Sequence, residues 1–383
     1  MKFMHTSDWH LGKLLHGVSL VEDQAFILDQ IIGLVETENV DVVIISGDIY
    51  DRSVPPHGAV SLLDTVLTRI VRDLGTPVIM IAGNHDSPDR LAFGSSIFRD
   101  KGLHIFGSLE DSITPAELKD EHGTVKVFGL PYAEPSLARE FLKNNDLHTH
   151  NQTMEALVGN LATVINPGDR TILVGHAFVA GSTSSESERP LSIGGAGTVA
   201  SEHFKTFNYA ALGHLHRCQT AGDDAIVYSG SILKYSFSEV DNTKSVSIVT
   251  MDDRGECNIN QFELTPKRDM RSIKGFFDTI LQEGSEDPYS GDYMRFILED
   301  KQPIFEAMNR LREVYPNTLR VERESLTIDS DQQSAADVKN LSDLQMFQSF
   351  FKDLIGEEPT DEQTKLFSTV LDQLDIDGRE ATS

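Results

Sequence analysis

In TPVIMIAGNHDSP, Thr76 to Pro88, a short β-branched apolar run stops on Gly, Asn, His and Asp in succession. A polar turn explains such an ending on its own, since Asn and Asp tolerate tight turns and Pro punctuates them. The same ending recurs elsewhere. VDVVIISGD (Val40–Asp48), RTILVGH (Arg170–His176) and NYAALGH (Asn208–His214) are short continuous apolar runs that close on Asp or His, and the first strand is KFMHTSD (Lys2–Asp8). Runs of this length and composition predict buried strands. Between them, Phe26, Leu28, Ile31, Ile32 and Val35, then Leu63, Val66, Leu67, Ile70, Val71 and Leu74, follow helical spacing. Strands alternating with amphipathic helices predict an α/β domain.

From about residue 224 the helical period disappears, and AIVYSGSIL, KSVSIVTMDD and CNINQFEL read as strands joined by polar turns, some of them antiparallel. This first domain spans 1–265. Residues 268–328 restart with a helix-like FFDTILQEG, a strand YMRFILED, a helix IFEAMNRLREVY and a strand TLRVERE, a small α+β unit of its own. An acidic polar stretch over 329–337 reads as a linker, and 338–383 as a helical tail. In the tail, Ser342 with Gln345 and Thr360 with Gln363 match the helix-starting capping box. Leu344, Phe347, Phe351 and Leu354 form one apolar stripe, and Phe367, Val370, Leu371 and Leu374 another.

Composition narrows the class. With 39% hydrophobic and 24% charged residues among 383, the chain reads as a soluble globular protein. It has no apolar run of membrane-spanning length and no signal-peptide pattern, so a cytoplasmic location is expected. Cys218 and Cys257 lack zinc-site spacing and are expected to be reduced and structural. A net charge of −27 is opposite to the basic footprint of a nucleic-acid binder. Divalent cations at a site can still neutralise a phosphodiester locally.

The strand ends supply the chemistry. In open α/β sheets, loops beyond the carboxyl ends of strands converge on a shared pocket. A lone DxH or HxH pair arises by chance, as in HTH at 148–150, which no apolar strand precedes. DWH, GDIYDR, GNHD, GH and GHLH, each following a strand, are a different matter. Together they offer the carboxylates Asp8 and Asp48, the imidazoles His10, His176, His214 and His216, and the amide oxygen of Asn84. That donor set suffices for two metals, and its mix of nitrogen and oxygen without thiolate favours manganese, iron or zinc. A carboxylate such as Asp48 suits the bridging position between two ions.

The order DxH, GDxxDR, GNHD, GH, GHxH over residues 1 to about 265 resembles the calcineurin-like metallophosphoesterases, and HTSDWHLG with GDIYDR resembles more narrowly the SbcD nuclease family. The resemblance implies a sandwich of two central mixed sheets flanked by helices, a small capping domain and a helical tail. It implies one ion, Mn2+ being the expected metal, on Asp8, His10, Asp48 and His216, and a second on Asp48, Asn84, His176 and His214. His85 would then be free to stabilise the transition state or protonate the leaving oxygen. Asp86 either orients His85 or shapes the turn, and Arg52 pairs with Asp51 or a phosphate. The resemblance further implies a DNA exonuclease and endonuclease acting on ends and hairpins in repair, replication and recombination. Its partner would be an SbcC-type coiled-coil ATPase gripped by the tail, in a heterotetramer with two nuclease subunits. The alternative is a phosphatase or phosphodiesterase for small molecules or phosphoproteins, because one metal core serves both. A Ser-rich loop, AGSTSSESERPLSIGGAG (Ala180–Gly197), has no role in either reading.

Overall fold

The β-branched runs fold as strands because their side chains are buried on both faces of a sheet, where no polar alternation is required. A computed structural model describes residues 1–188, 197–324, 343–355 and 358–380. The chain divides into two compact units, Met1–Asp269 and Met270–Ser383.

The first unit is built on two six-stranded sheets. Its strands are β1 (Lys2–Thr6), β2 (Val42–Ile45), β3 (Val78–Ile81), β4 (Leu103–Phe106), β5 (Ala116–Asp120), β6 (Gly123–Leu130), β7 (Arg170–His176), β8 (Tyr209–Gly213), β9 (Gln219–Thr220), β10 (Ile226–Tyr228), β11 (Ser245–Met251) and β12 (Cys257–Glu263). One sheet runs β12-β11-β1-β2-β3-β4 and the other β9-β10-β8-β7-β6-β5. β1 to β4 pair in parallel, and β11 and β12 add antiparallel members at one edge. In the second sheet β6, β7, β8 and β10 are parallel, with antiparallel hairpin partners at both edges.

Strand alternation sorts the core into layers. Phe3, Val42, Ile44, Ile79 and Ile81 face Val125, Val127, Ile172, Val174 and Ala211 between the sheets. The intervening residues Phe128, Leu130, Leu173 and Leu212 point the other way, against Leu157, Val158 and Leu161. Those three lie on the helix His150–Ala162, which Thr149 and Gln152 start with a reciprocal capping box. The HTH sequence is therefore a helix start.

Before β2, α1 (Val21–Thr37) buries Ile27, Leu28, Ile31, Ile32 and Val35, while Phe26 points outward, so the apolar stripe is rotated by one residue from the expected one. β4, β5, β6 and the helices Pro135–Leu142 and His150–Ala162 carry no clear sequence signal, because polar residues interrupt their apolar periods. Thr265 exchanges hydrogen bonds with the Gln30 side chain, and Arg268 pairs with the buried Asp23, so residues 265–269 stay with the first unit.

In the second unit, β13 (Met270–Gly275), β14 (Tyr293–Leu298) and β15 (Thr318–Arg323) form an all-parallel sheet. Helices Phe277–Gly284 and Ala307–Val314 cover it, burying Phe277, Ile280, Met294, Phe296, Leu311 and Tyr315. Of the three strands, β13 is the one that the sequence pattern does not predict. The tail forms two helices, Asp343–Ile355 and Asp361–Glu380, joined by the stacked rings of Phe347 and Phe367, 3.9 Å apart at 8°. Thr360 and Gln363 make their capping box. Ser342, the 329–337 stretch and the side chains of Leu354, Leu371 and Leu374 lie outside the described residues.

Candidate metal centre

Parallel strands from both sheets deliver their carboxyl ends to one place. Asp8 and His10 follow β1, Asp48 follows β2, and Asn84 and His85 follow β3 of one sheet; His176 ends β7, and His214 and His216 follow β8 of the other. The loops are tight. Asp8, His10, Asp48 and His214 all hold positive φ, a conformation that Asp and His accept more readily than most residues and that clusters at functional sites. The glycines of the motifs are required by contact: a Cβ on Gly83 would overlap the Asp48 carboxylate, and one on Gly213 the Ser46 carbonyl.

The seven side chains converge. His10 Nε2 lies 3.1 Å from His216 Nε2. Asn84 Oδ1 lies 2.9 Å from His176 Nε2 and 3.2 Å from His214 Nδ1. Asp48 Oδ2 sits between the two groups, 3.6 Å from His10 Nε2 and 3.5 Å from His176 Nε2. Asp8, His10 and His216 form one set of donors close enough to share a cation, and Asp8, Asp48 and His176 form another. His10, Asp51 and His85 form a third set, but Asp51 Oδ1 already accepts from Lys13 Nζ at 2.8 Å.

Several bonds aim these donors. His85 N–H donates to Asp48 Oδ1 at 2.9 Å, leaving Oδ2 turned to the histidines. His176 Nδ1–H donates to Ser46 O at 2.9 Å, which turns its Nε2 toward Asn84 and Asp48. His214 N–H donates to both oxygens of Asp8, and Ser7 Oγ–H donates to Oδ2. Gln24 Nε2 donates to the carbonyls of Trp9 and His10, fixing the first loop. Asp86 accepts from the N–H groups of Gly83, Ile49 and Tyr50, so it shapes the turn rather than orienting His85. Arg52, half exposed, lies 3.9 Å from Asp51, and Lys13 is the closer partner of that carboxylate.

The donor set fits divalent cations on two observations. Asp8 and Asp48 are 0% and 2% exposed, yet among the described residues neither has a Lys or Arg partner. Buried carboxylates without cations are costly. His10 Nδ1 is buried without any hydrogen-bond partner, and its Nε2 meets His216 Nε2 at 3.1 Å, a nitrogen pair of which at least one presents a lone pair. The electrostatics agree. Burial pushes Asp8 up to about 6 against the pull of His176 and His216, with Asp48 adding to the rise. Burial also works to raise Asp48, but His176, His10 and His85 hold it well below the usual carboxylate range. Burial works to lower His176, and the Asp48 carboxylate carries it instead up to about 9. His10 is driven well down and His214 down to about 3, chiefly by burial, which keeps neutral lone-pair nitrogens in the site.

Sequence reasoning missed the groups around the donors. Glu239 and Lys244 are buried beside His216, and Ser187 reaches its ring. No periodicity marks any of the three. Tyr132 stands edge-on to His176 and stacks on His150, equally without a sequence signal.

Comparison with known proteins follows the same lines. Residues 1–218 match the family described as calcineurin-like phosphoesterase, and residues 266–353 match the family described as type 5 capsule protein repressor C-terminal domain. The Staphylococcus epidermidis protein named as the D subunit of the SbcCD nuclease is 34% identical over 378 residues, covering 97% of this chain and 100% of that protein. Among solved structures, TT1561 of Thermus thermophilus is 12% identical with a TM-score of 0.38, covering 68% of this chain and 98% of that one. A dimetal phosphatase from Danio rerio is 13% identical with a TM-score of 0.38, covering 68% and 99%. Among the described residues, no helix is long and apolar enough to cross a membrane. With its strand-end motifs gathered at one centre and a full-length relative of that name, the chain belongs to the SbcD branch of the calcineurin-like phosphoesterases and is a metal-dependent phosphodiesterase.

Proposed function

We propose that the protein is a DNA nuclease that hydrolyses phosphodiester bonds with two divalent ions, Mn2+ by preference. The observation that carries this reading is the position of Asp48 Oδ2 between His10 Nε2 and His176 Nε2, at 3.6 and 3.5 Å. Asp8, His10, Asp48 and His216 would hold one ion, and Asp48, Asn84, His176 and His214 the other. Bound there, the pair supplies Lewis acidity at the scissile phosphate. The chain's own residues do the rest. Ser46 fixes the ring of His176, and the His85 N–H fixes Asp48. His85 Nδ1–H donates to Asp51 O at 2.8 Å, so Nε2 is the nitrogen left for proton transfer, and it donates to the leaving oxygen when the ring is doubly protonated.

The protein acts on DNA ends and hairpins as the nuclease subunit of an ATP-dependent complex with an SbcC-type coiled-coil ATPase. The tail supports that partner: its paired helices leave Met346, Leu366 and Val370 exposed, as helix-in-groove docking requires. Two nuclease subunits per complex belong to the same reading. The net charge of −27 assigns most DNA affinity to the ATPase.

The test is Mn2+-dependent cleavage of labelled hairpin and linear duplex DNA, with small phosphate esters alongside. Wild type should cut DNA and Asp48→Ala should not. Turnover of small esters with intact DNA would transfer the activity to the small-molecule reading, and a folded, fully active Asp48→Ala protein would end the two-ion proposal.

A further inference from the structure

The first half of the Ser-rich loop, which no part of the proposed chemistry uses, closes over His216. Ser187 Oγ lies 2.7 Å from His216 Nδ1 and also bonds Glu239 Oε1. Glu239 is fully buried, and its other oxygen accepts from Lys244 Nζ, itself 6% exposed. The directions of these bonds follow from what each group can donate. A carboxylate gripped by an ammonium only accepts, so the single hydroxyl proton of Ser187 goes to Glu239. The lone pairs of Ser187 Oγ then face the ring, and His216 Nδ1 must be the donor. Ser185 Oγ, 2.8 Å from Ser187 Oγ, is placed to donate to the remaining lone pair. Glu239 Oε1 also lies 3.4 Å from His216 Nδ1, a longer contact of the same sense.

The backbone of His216 is held by the same groups. Glu188 Oε1 accepts from His216 N–H at 2.8 Å, and Lys244 Nζ donates to His216 O at 2.8 Å. His176, by contrast, is fixed by a strand-end carbonyl, Ser46 O, which no loop movement removes.

We infer that Ser187, backed by the buried Glu239–Lys244 pair, is a positioning residue that locks His216 in the Nδ1–H tautomer and presents its Nε2 lone pair toward Asp8 and His10. The inference rests on the two-ion reading in that Nε2 is the nitrogen offered to metal. It assigns the Ser-rich loop a function: the loop completes one of the two ion positions and leaves the other, built on Asn84, His176 and His214, independent of it. A hydrogen-bond partner behind a ligating imidazole commonly contributes a factor of about 10–100 in metal affinity.

The experiment uses the full-length protein and Mn2+ alone, followed by the electron paramagnetic resonance of the free ion, with 15N spectra of the histidine side chains in the metal-free protein. Wild type should bind two equivalents and show His216 protonated at Nδ1. Ser187→Ala should weaken one equivalent about 10–100-fold, leave the second unchanged, and give a mixture of His216 tautomers. Ser187→Thr, which keeps the hydroxyl, should restore both signals. Unchanged binding of both equivalents in Ser187→Ala, equal weakening of both, or a wild-type His216 protonated at Nε2 would overturn the inference. Wild-type protein that binds fewer than two ions would count against the two-ion reading itself, and the nitrogen spectrum of the metal-free protein would still decide the tautomer.

Discussion

His85 performs two jobs through different atoms. Its backbone N–H orients Asp48, while its ring, anchored through Nδ1 on Asp51 O, packs edge-on against His10 with centroids 4.7 Å apart. A substitution that changes only the ring therefore separates metal binding from proton transfer. His85→Gln should keep its metal, measured by elemental analysis, and lose roughly 10²- to 10⁴-fold in single-turnover DNA cleavage, the usual range for acid or base catalysis. Loss of metal in parallel with activity would make the ring structural. The adjacent residues behave as their chemistry requires. Asn84 meets His176 and His214 through Oδ1, and Asp86 spends its carboxylate on three backbone donors of the turns.

At the scale of elements, the tail contrasts with the helices of the first unit. Helix His150–Ala162 buries Leu157, Val158 and Leu161 under a sheet, whereas the two tail helices meet through Phe347 and Phe367 and expose Leu366 and Val370. A helix pair that leaves apolar side chains exposed suits the proposed docking on the ATPase. Deleting residues 338–383 should abolish co-purification with the ATPase while the Mn2+-dependent nuclease activity of the isolated subunit stays largely intact. Unchanged partner binding, or loss of folding, would return the tail to the protein's own core. The capping boxes at Thr149 and Thr360 are both written in plain sequence. The first overlaps an HxH pair that reads as accidental, which hides the helix it starts.

At the scale of the molecule, the two sheets of the first unit are also joined by charge. Arg170, 4% exposed at the start of β7, grips both oxygens of Asp120 at 2.6 and 2.8 Å, and the Met1 ammonium lies 2.7 Å from Asp120 Oδ2. The Arg170 hydrogen bonds, with the N-terminal ammonium, hold the Asp120 carboxyl well below the usual carboxylate range. A depressed folded-state pKa contributes stability above the unfolded value of about 3.9, and that contribution is lost as pH falls through the folded value. Asp120→Asn should therefore lower Tm at pH 7 by about 3–6 °C, taking roughly 1.5 kcal/mol for a hydrogen bond to a charged group. The gap to wild type should close as pH drops below about 4. Melting curves from pH 7 to pH 3 check this, and a gap independent of pH would assign the effect to packing.

The strands that carry the site, and the side chains that meet at it, are legible in the amino-acid sequence. Strand-ending Asp8, Asp48, Asn84, His176 and His214 are legible because a buried parallel strand is a continuous apolar run and its last residues must be polar to leave the core. Local periodicity carries no information about which distant groups meet. Tertiary structure alone set Asp48 Oδ2 midway between His10 and His176, paired Asp86 with the turns instead of His85, and rotated α1 so that Ile27 is buried in place of Phe26. It also brought Ser187, Glu239 and Lys244 under His216. Glu239 and Lys244 stand five residues apart, but Glu239 is 23 and Ser187 29 residues from His216, separations that leave no periodic pattern in the chain.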